Sequence, residues 1–187
     1  MTMIRVAFQG EPGAFGEDAI VKFFGSANVV TVPERQFADV VAVVEGGRAD
    51  YAVLPVENTI YGAVVDATRA LAGSALRTTG DVTVPVQQCL LAVPGARLTD
   101  LTRVMSHPVA LAQCTKFLSA HPQLKAFPSF DTAGAAREVA TAGDIRMAAI
   151  AGRRAAQLYA LDVLAEGIQD RADNETRFVI VARSENV

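Results

Sequence analysis

The sequence predicts an α/β fold in two lobes with mainly parallel sheets, and three observations predict it. Its 187 residues are enough to bury a core without disulfide or metal staples. Short apolar runs bounded by Gly, Pro, Asp or Ser alternate with stretches of helical period from end to end, the pattern of buried strands covered by helices. The stretch from Thr78 to Pro85, TTGDVTVP, interrupts that alternation and reads as an extended crossover into a second lobe. The strand opening at Thr176 then reads as the return. This puts one lobe at residues 1–80 plus 177–187 and the other at 81–176, with a cleft between them.

In chain order, strands are expected at Ile4 to Phe8, Val29 to Val32, Tyr51 to Val56, Val84 to Val93, Arg103 to Ser106, Leu124 to Phe127, Met147 to Ala151 and Phe178 to Ala182. Between them, Phe37, Val40, Val41 and Val44 follow the i, i+3, i+4, i+7 rule of a helix with one apolar face. Leu111, Cys114, Thr115 and Leu118 repeat it, and so do Ala133, Ala136, Val139 and Ala140 with smaller side chains.

Composition removes several function classes. With 51% hydrophobic and 20% charged residues the chain reads as a compact globule and not as a disordered one. The net charge of −3, from 17 basic and 20 acidic residues, leaves no basic field for a nucleic-acid partner. The longest apolar runs are a fraction of the roughly 20 residues a membrane helix needs, so no membrane partner is expected. The opening MTMIRVAFQG has no secretory pattern, which makes the cytoplasm the expected location. Cys89 and Cys114 sit in apolar surroundings away from metal-ligand spacing and read as reduced core residues.

Four segments carry polar groups where a strand gives way to a loop. Gln9 to Gly16 (QGEPGAFG) follows the first strand; its Gly10 and Gly13 would let backbone N–H groups approach an anion, while a tight turn without a ligand accounts for the same residues. Pro55 to Ala63 (PVENTIYGA) gathers Glu57, Asn58 and Thr59 at a strand end, with a helix expected near Gly62; simple N-capping is the alternative. Ser106-His107-Pro108 and Asp131-Thr132-Ala133-Gly134 each precede a helix, and capping explains much of both. Finally Asn174-Glu175-Thr176-Arg177-Phe178 opens the last strand. Alternation there sends a hydroxyl and an aromatic to one face and to the other a guanidinium suited to a carboxylate. Spacing alone supports a binder or enzyme for a small anion.

Taken together, VAFQGEPGAFGEDA, ADYAVLPVENTIYGAVVDATRAL, SHPVALAQCTKFL, DTAGAA, AAIAGRRAAQLYAL and IQDRADNETRF resemble, in order, the segments of the prephenate dehydratase catalytic domain, from Val6 to Val181. The resemblance implies two lobes of the type II periplasmic-binding-protein kind with the active site between them, and no metal or organic cofactor. It implies a hydro-lyase that converts prephenate to phenylpyruvate, carbon dioxide and water in phenylalanine biosynthesis, and a homodimer. Thr176 matches the family's proposed acid. Arg177, Phe178, Glu57, Asn58, Thr59, Gly62, Gly10, Gly13, Ala14, His107, Thr132, Ala133 and Gly134 fall on segments expected to contact the substrate.

Gly16 stands where the family usually has a hydroxyl residue and Ala14 where it often has Thr or Ser, so one hydroxyl contact is expected to be missing. Thr59 keeps the hydroxyl of the usual Ser. The chain stops at Val187, where relatives continue into an ACT domain that binds phenylalanine, so feedback inhibition by that route is not expected. The rival readings are an arogenate dehydratase, a non-aromatising prephenate decarboxylase and, from another class, a non-catalytic module that binds small anions.

Overall fold

The computed structural model describes residues 3–186; the outermost lobe limits read from sequence, at Met1, Thr2 and Val187, lie outside them. The elements run β1 (Ile4–Gln9), α1 (Phe15–Phe24), β2 (Val29–Glu34), α2 (Phe37–Glu45), β3 (Tyr51–Asn58), β4 (Gly62–Ala63), α3 (Val65–Ala72) and β5 (Arg77–Pro85). They continue with β6 (Cys89–Ala92), β7 (Arg103–Ser106), α4 (Pro108–Ala112), α5 (Thr115–Ala120), β8 (Lys125–Pro128), α6 (Thr132–Ala142), β9 (Met147–Ala151), α7 (Arg153–Tyr159), β10 (Asp162–Glu166) and β11 (Glu175–Ala182).

Two compact units result. Among the described residues, the first comprises those up to Glu11, residues 15–85 and those from Glu175 on, and the second Pro12–Ala14 and Val86–Asn174. The limits differ from those read in the sequence because strand pairing holds the chain in the first unit longer: β5 stays hydrogen-bonded to β11 up to Pro85, and β11 starts at Glu175. The short piece Pro12–Ala14, expected with its neighbours in the first lobe, belongs to the second.

In the first unit the sheet order is β2-β1-β3-β11-β5, with β4 folded back on β3. β1 lies parallel to both β2 and β3, which buries its Val6, Ala7 and Phe8 completely. β11 is inserted antiparallel between β3 and β5. Helix α2 covers the sheet with Val40, Val41, Val43 and Val44, close to the stripe the period predicts. α1 buries Gly16, Ala19 and Ile20, and carries Glu17 and Asp18 in its first turn and Lys22 in its last, in accord with the helix dipole.

In the second unit the order is β10-β6-β9-β7-β8, with β7 parallel to β8 and β9, and β6 antiparallel to β9 and β10. Ala148, Ala149, Ile150 and Ala151 of β9 are fully buried, and their small side chains match a helix α6 that buries Ala133, Gly134, Ala135 and Ala136. Both sheets are therefore mixed and not mainly parallel. The strands entering and leaving each unit, β5, β6, β10 and β11, run against their neighbours. The predicted strand Val84 to Val93 is divided, its first residues ending β5 in one sheet and Cys89–Ala92 forming β6 in the other.

The stripe Leu111, Cys114, Thr115 and Leu118 is broken, with Leu111 in α4, Thr115 and Leu118 in α5 and Cys114 between the two helices. The break has an identifiable cause: the Asp170 carboxylate accepts the N–H groups of Thr115 (3.1 Å) and Lys116 (2.9 Å) and the Thr115 hydroxyl, while its own N–H donates to Gln113 O at 2.6 Å. A side chain 55 positions along the chain thus caps α5. Partial burial alone would push the Asp170 carboxyl up, but the Thr115 hydroxyl and the two backbone donors outweigh it and hold it below the ordinary carboxylate range. A carboxylate with a lowered folded pKa stabilises above its unfolded pKa of about 3.9, and that contribution is lost as pH falls through the folded pKa. Asp170→Ala is expected to cost about 1 kcal/mol at neutral pH, as loss of a cap does. In urea unfolding at a series of pH values, the gap from wild type should close on acidification.

Cys89 and Cys114 are free and buried; burial first, and then nearby Asp170, pushes the Cys114 thiol up to about 12. Among the described residues no helix is long and apolar enough to cross a membrane.

Candidate active site

The polar cluster of the first unit forms where β3 ends beside the start of β11. Thr176 pairs with Asn58 in register, and both are 9% exposed. Asn58 Nδ2 donates to Thr176 Oγ1 at 2.9 Å and to Glu175 O at 3.0 Å, while Asn58 Oδ1 accepts the N–H groups of Ile60 (3.0 Å) and Tyr61 (3.1 Å). The helix expected near Gly62 starts at Val65, after a short strand. The backbone, with Gly62 at φ +75°, turns back so that Gly62 and Ala63 pair with Asn58 and Glu57, and α3 starts only at Val65. Asn58 Oδ1 thus holds the turn that precedes α3 through the N–H groups of Ile60 and Tyr61.

Thr59 is exposed, and its hydroxyl accepts the Glu175 N–H at 2.9 Å, which extends the β3–β11 pairing. Glu57 and Arg177 are opposite one another in that pairing, 3.7 Å apart and 62% and 46% exposed. Thr176 and Phe178 are buried, and Arg177 between them is exposed. Strand alternation turns the hydroxyl and the guanidinium to opposite faces. The exposed ion pair is worth at most about 1 kcal/mol.

The glycine-rich segment divides between the units. Gly10, with φ +113°, ends β1, and its N–H donates to Glu34 O at 2.9 Å. Gly13 belongs to the second unit. At φ +94° it lies so close to α7 that a Cβ there would fall 3.0 Å from Ala155 Cα, and Tyr159 Oη donates to Pro12 O at 2.7 Å beside it. Ala14 packs against the second unit's core. Both glycines thus have a conformational or packing reason to be glycine. Gly16 has one too: a Cβ there would meet Phe8 Cδ2 at 3.1 Å.

In the second unit the parallel strands β7 and β8 end side by side at Ser106 and Pro128. His107 follows as the cap of α4, its Nδ1 accepting the Val109 N–H at 3.2 Å. Burial lowers the His107 pKa, and nearby Asp131 opposes that shift. Asp131 caps α6 by accepting the Gly134 N–H, with Thr132 half-buried and Ala133 and Gly134 buried in the first turn. The capping account of both segments matches these bonds. Among the described residues no group of three or more His, Cys, Asp or Glu side chains is placed to hold a metal ion. Sequence reasoning missed Asp170, for which no local signal exists, and the bond between Asn58 and Thr176, which only strand register reveals.

Comparison with known proteins adds the following. The family model described as prephenate dehydratase matches residues 6–186. An arogenate dehydratase/prephenate dehydratase 1 of Arabidopsis thaliana, named as chloroplastic, is 43% identical over 180 residues. That match covers 96% of this chain but 45% of the relative, so the chain spans less than half the length of that protein. The crystal structure of an Arthrobacter aurescens prephenate dehydratase in complex with L-Phe has a TM-score of 0.88 at 33% identity, covering 96% of this chain and 60% of that one. A structure described as GqqA, a novel type of quorum quenching acylase, has a TM-score of 0.86 at 37% identity, covering 96% of this chain and 64% of that one. A nutrient-binding protein from Burkholderia cenocepacia bound to methionine, at 15% identity and TM-score 0.53 over 98% of this chain and 86% of that one, shares the fold alone.

Proposed function

The chain belongs to the prephenate dehydratase family, and from that premise we propose that it catalyses the decarboxylative dehydration of prephenate to phenylpyruvate, carbon dioxide and water. The observation that carries this reading is the buried hydroxyl of Thr176, hydrogen-bonded to Asn58 at 2.9 Å. In the proposed step the Thr176 proton passes to the departing ring hydroxyl, which leaves as water. The bond to the ring carboxylate breaks, its carbon leaves as carbon dioxide, and its electron pair enters the ring. Water then reprotonates Thr176. A weak acid suffices because aromatisation drives both departures, and a positioned acid of this kind contributes roughly 10²–10⁴-fold. Phe178, buried on the same face, supplies apolar surface beside the hydroxyl. No cofactor is needed.

Arg177 and Glu57 are assigned here to holding β3 and β11 in register. In the second unit, taken by itself, the edge where β7 and β8 end is proposed to attract a carboxylate, since the first turn of α6 at Thr132 and Ala133 favours an anion and His107 stands nearby. The curated relative's name also supports a second reading, in which the substrate is arogenate and the product phenylalanine.

Incubating the protein with prephenate and with arogenate, while following phenylpyruvate and phenylalanine, tests both readings. Phenylpyruvate from prephenate is expected; phenylalanine from arogenate alone would replace the first reading with the second. Neither product would end both and would direct attention to an acylase of the kind named for GqqA. A homodimer in the cytoplasm completes the proposal. The free, buried Cys89 and Cys114 fit a reducing compartment, and light scattering tests the dimer.

A further inference from the structure

We infer that Asn58 is a positioning residue that fixes the direction of the Thr176 proton, and that this is its contribution to the reaction in place of contact with the substrate. The inference rests on the proposed dehydratase reading. Its ground is the polarity of the groups around the amide. Backbone N–H groups only donate, so the end of Asn58 facing Ile60 and Tyr61 must be its oxygen. A backbone carbonyl only accepts, so the end facing Glu175 O must be the NH₂. These three partners leave the amide one orientation, and in that orientation its remaining proton meets Thr176 Oγ1 at 2.9 Å.

A hydroxyl that accepts from an amide sends its own proton elsewhere, and among the described residues no acceptor takes the Thr176 proton. The proton is therefore available to a ligand, and the donor left behind stabilises the negative charge that builds on Oγ1 as the proton departs. With both side chains 9% exposed, that stabilisation is little diluted by water.

Asn58→Asp tests this with little change of shape. One introduced oxygen keeps the N–H groups of Ile60 and Tyr61. The other faces Thr176 as an acceptor, captures its proton and reverses the bond. The expected result is a kcat lower by 10²-fold or roughly more, with KM within a few fold of wild type. Residual kcat should rise on acidification, as the introduced carboxyl gains a proton and can donate again. The titratable neighbours on the paired strands are Glu57 on β3 and Glu175 and Arg177 on β11, all exposed, while Thr83, Val84 and Pro85 facing from β5 carry none. These groups are common to wild type and variant, so the difference between the two pH profiles reports residue 58.

In a Thr176→Ala background the same substitution should lower kcat no further. Asn58→Ala, which removes the donor without reversing the bond, should show no such recovery in acid, and it keeps the test alive if the Asp variant fails to fold. Wild-type kcat in Asn58→Asp, a loss confined to KM, or an undiminished loss on top of Thr176→Ala would each overturn the inference while leaving the dehydratase reading intact. A wild-type protein inactive on both substrates would instead overturn that reading, and the inference with it.

Discussion

Thr176→Ala is expected to lower kcat for phenylpyruvate formation by roughly 10²–10⁴-fold, with a KM close to wild type. The size of the effect follows from the role: an acid that acts only as the carbon–oxygen bond breaks contributes to the transition state and not to ground-state binding. The structure makes the experiment interpretable. Removing the hydroxyl does not strand the buried Asn58 amide, which keeps Glu175 O at 3.0 Å and the N–H groups of Ile60 and Tyr61. The stability cost should therefore be about 1 kcal/mol, far from enough to unfold a domain of ordinary stability. Thr176→Ser retains a hydroxyl able to accept from Asn58 and should keep part of the activity. Steady-state kinetics beside urea unfolding checks both halves, and wild-type turnover in the Ala variant would refute the assignment of Thr176.

The parts of this molecule that were legible in sequence are those where chemistry is local. Arg103–Ser106 and Met147–Ala151 are strands with the predicted ends, because each is a short apolar run stopped by a polar residue or a glycine. The α2 stripe was legible because Val40, Val41 and Val44 repeat at helical spacing on one face. Non-local pairing defeated the same reasoning. Nothing in the run from Val84 to Val93 says that two of its residues remain with β11 while four others join a different sheet. Nothing around Cys114 says that a carboxylate at Asp170 will start a new helix there.

The candidate site divides in the same way. Thr176 and Asn58 stand out as polar residues at the edges of apolar strands, but the hydrogen bond joining them spans 118 positions and depends on the β3–β11 register. Arg177 adjoins Thr176 in sequence, and adjacency along a strand turns the two side chains to opposite faces, so the guanidinium lies away from the hydroxyl.

The largest stability effect is expected from Phe8→Ala, about 3–5 kcal/mol in urea unfolding. Phe8 is fully buried in β1, with partner strands on both sides pairing it with Pro33 and Val53, so the sheet has little freedom to collapse into the space left. That loss is a large share of the stability of an ordinary domain, and the variant is best measured well below room-temperature denaturation. The same ring bears on Gly16. A Cβ at Gly16 would lie 3.1 Å from Phe8 Cδ2 and 3.4 Å from Phe8 Cβ, and the ring, closed in on all sides, has nowhere to move. Replacing a helical glycine ordinarily gains up to about 1 kcal/mol, so the sign of the substitution reports the crowding directly. Gly16→Ser should destabilise the wild-type background and become neutral or stabilising beside Phe8→Leu, a non-additive pair that a double-mutant cycle resolves. Equal effects of Gly16→Ser in the two backgrounds would show that the ring does not dictate the glycine.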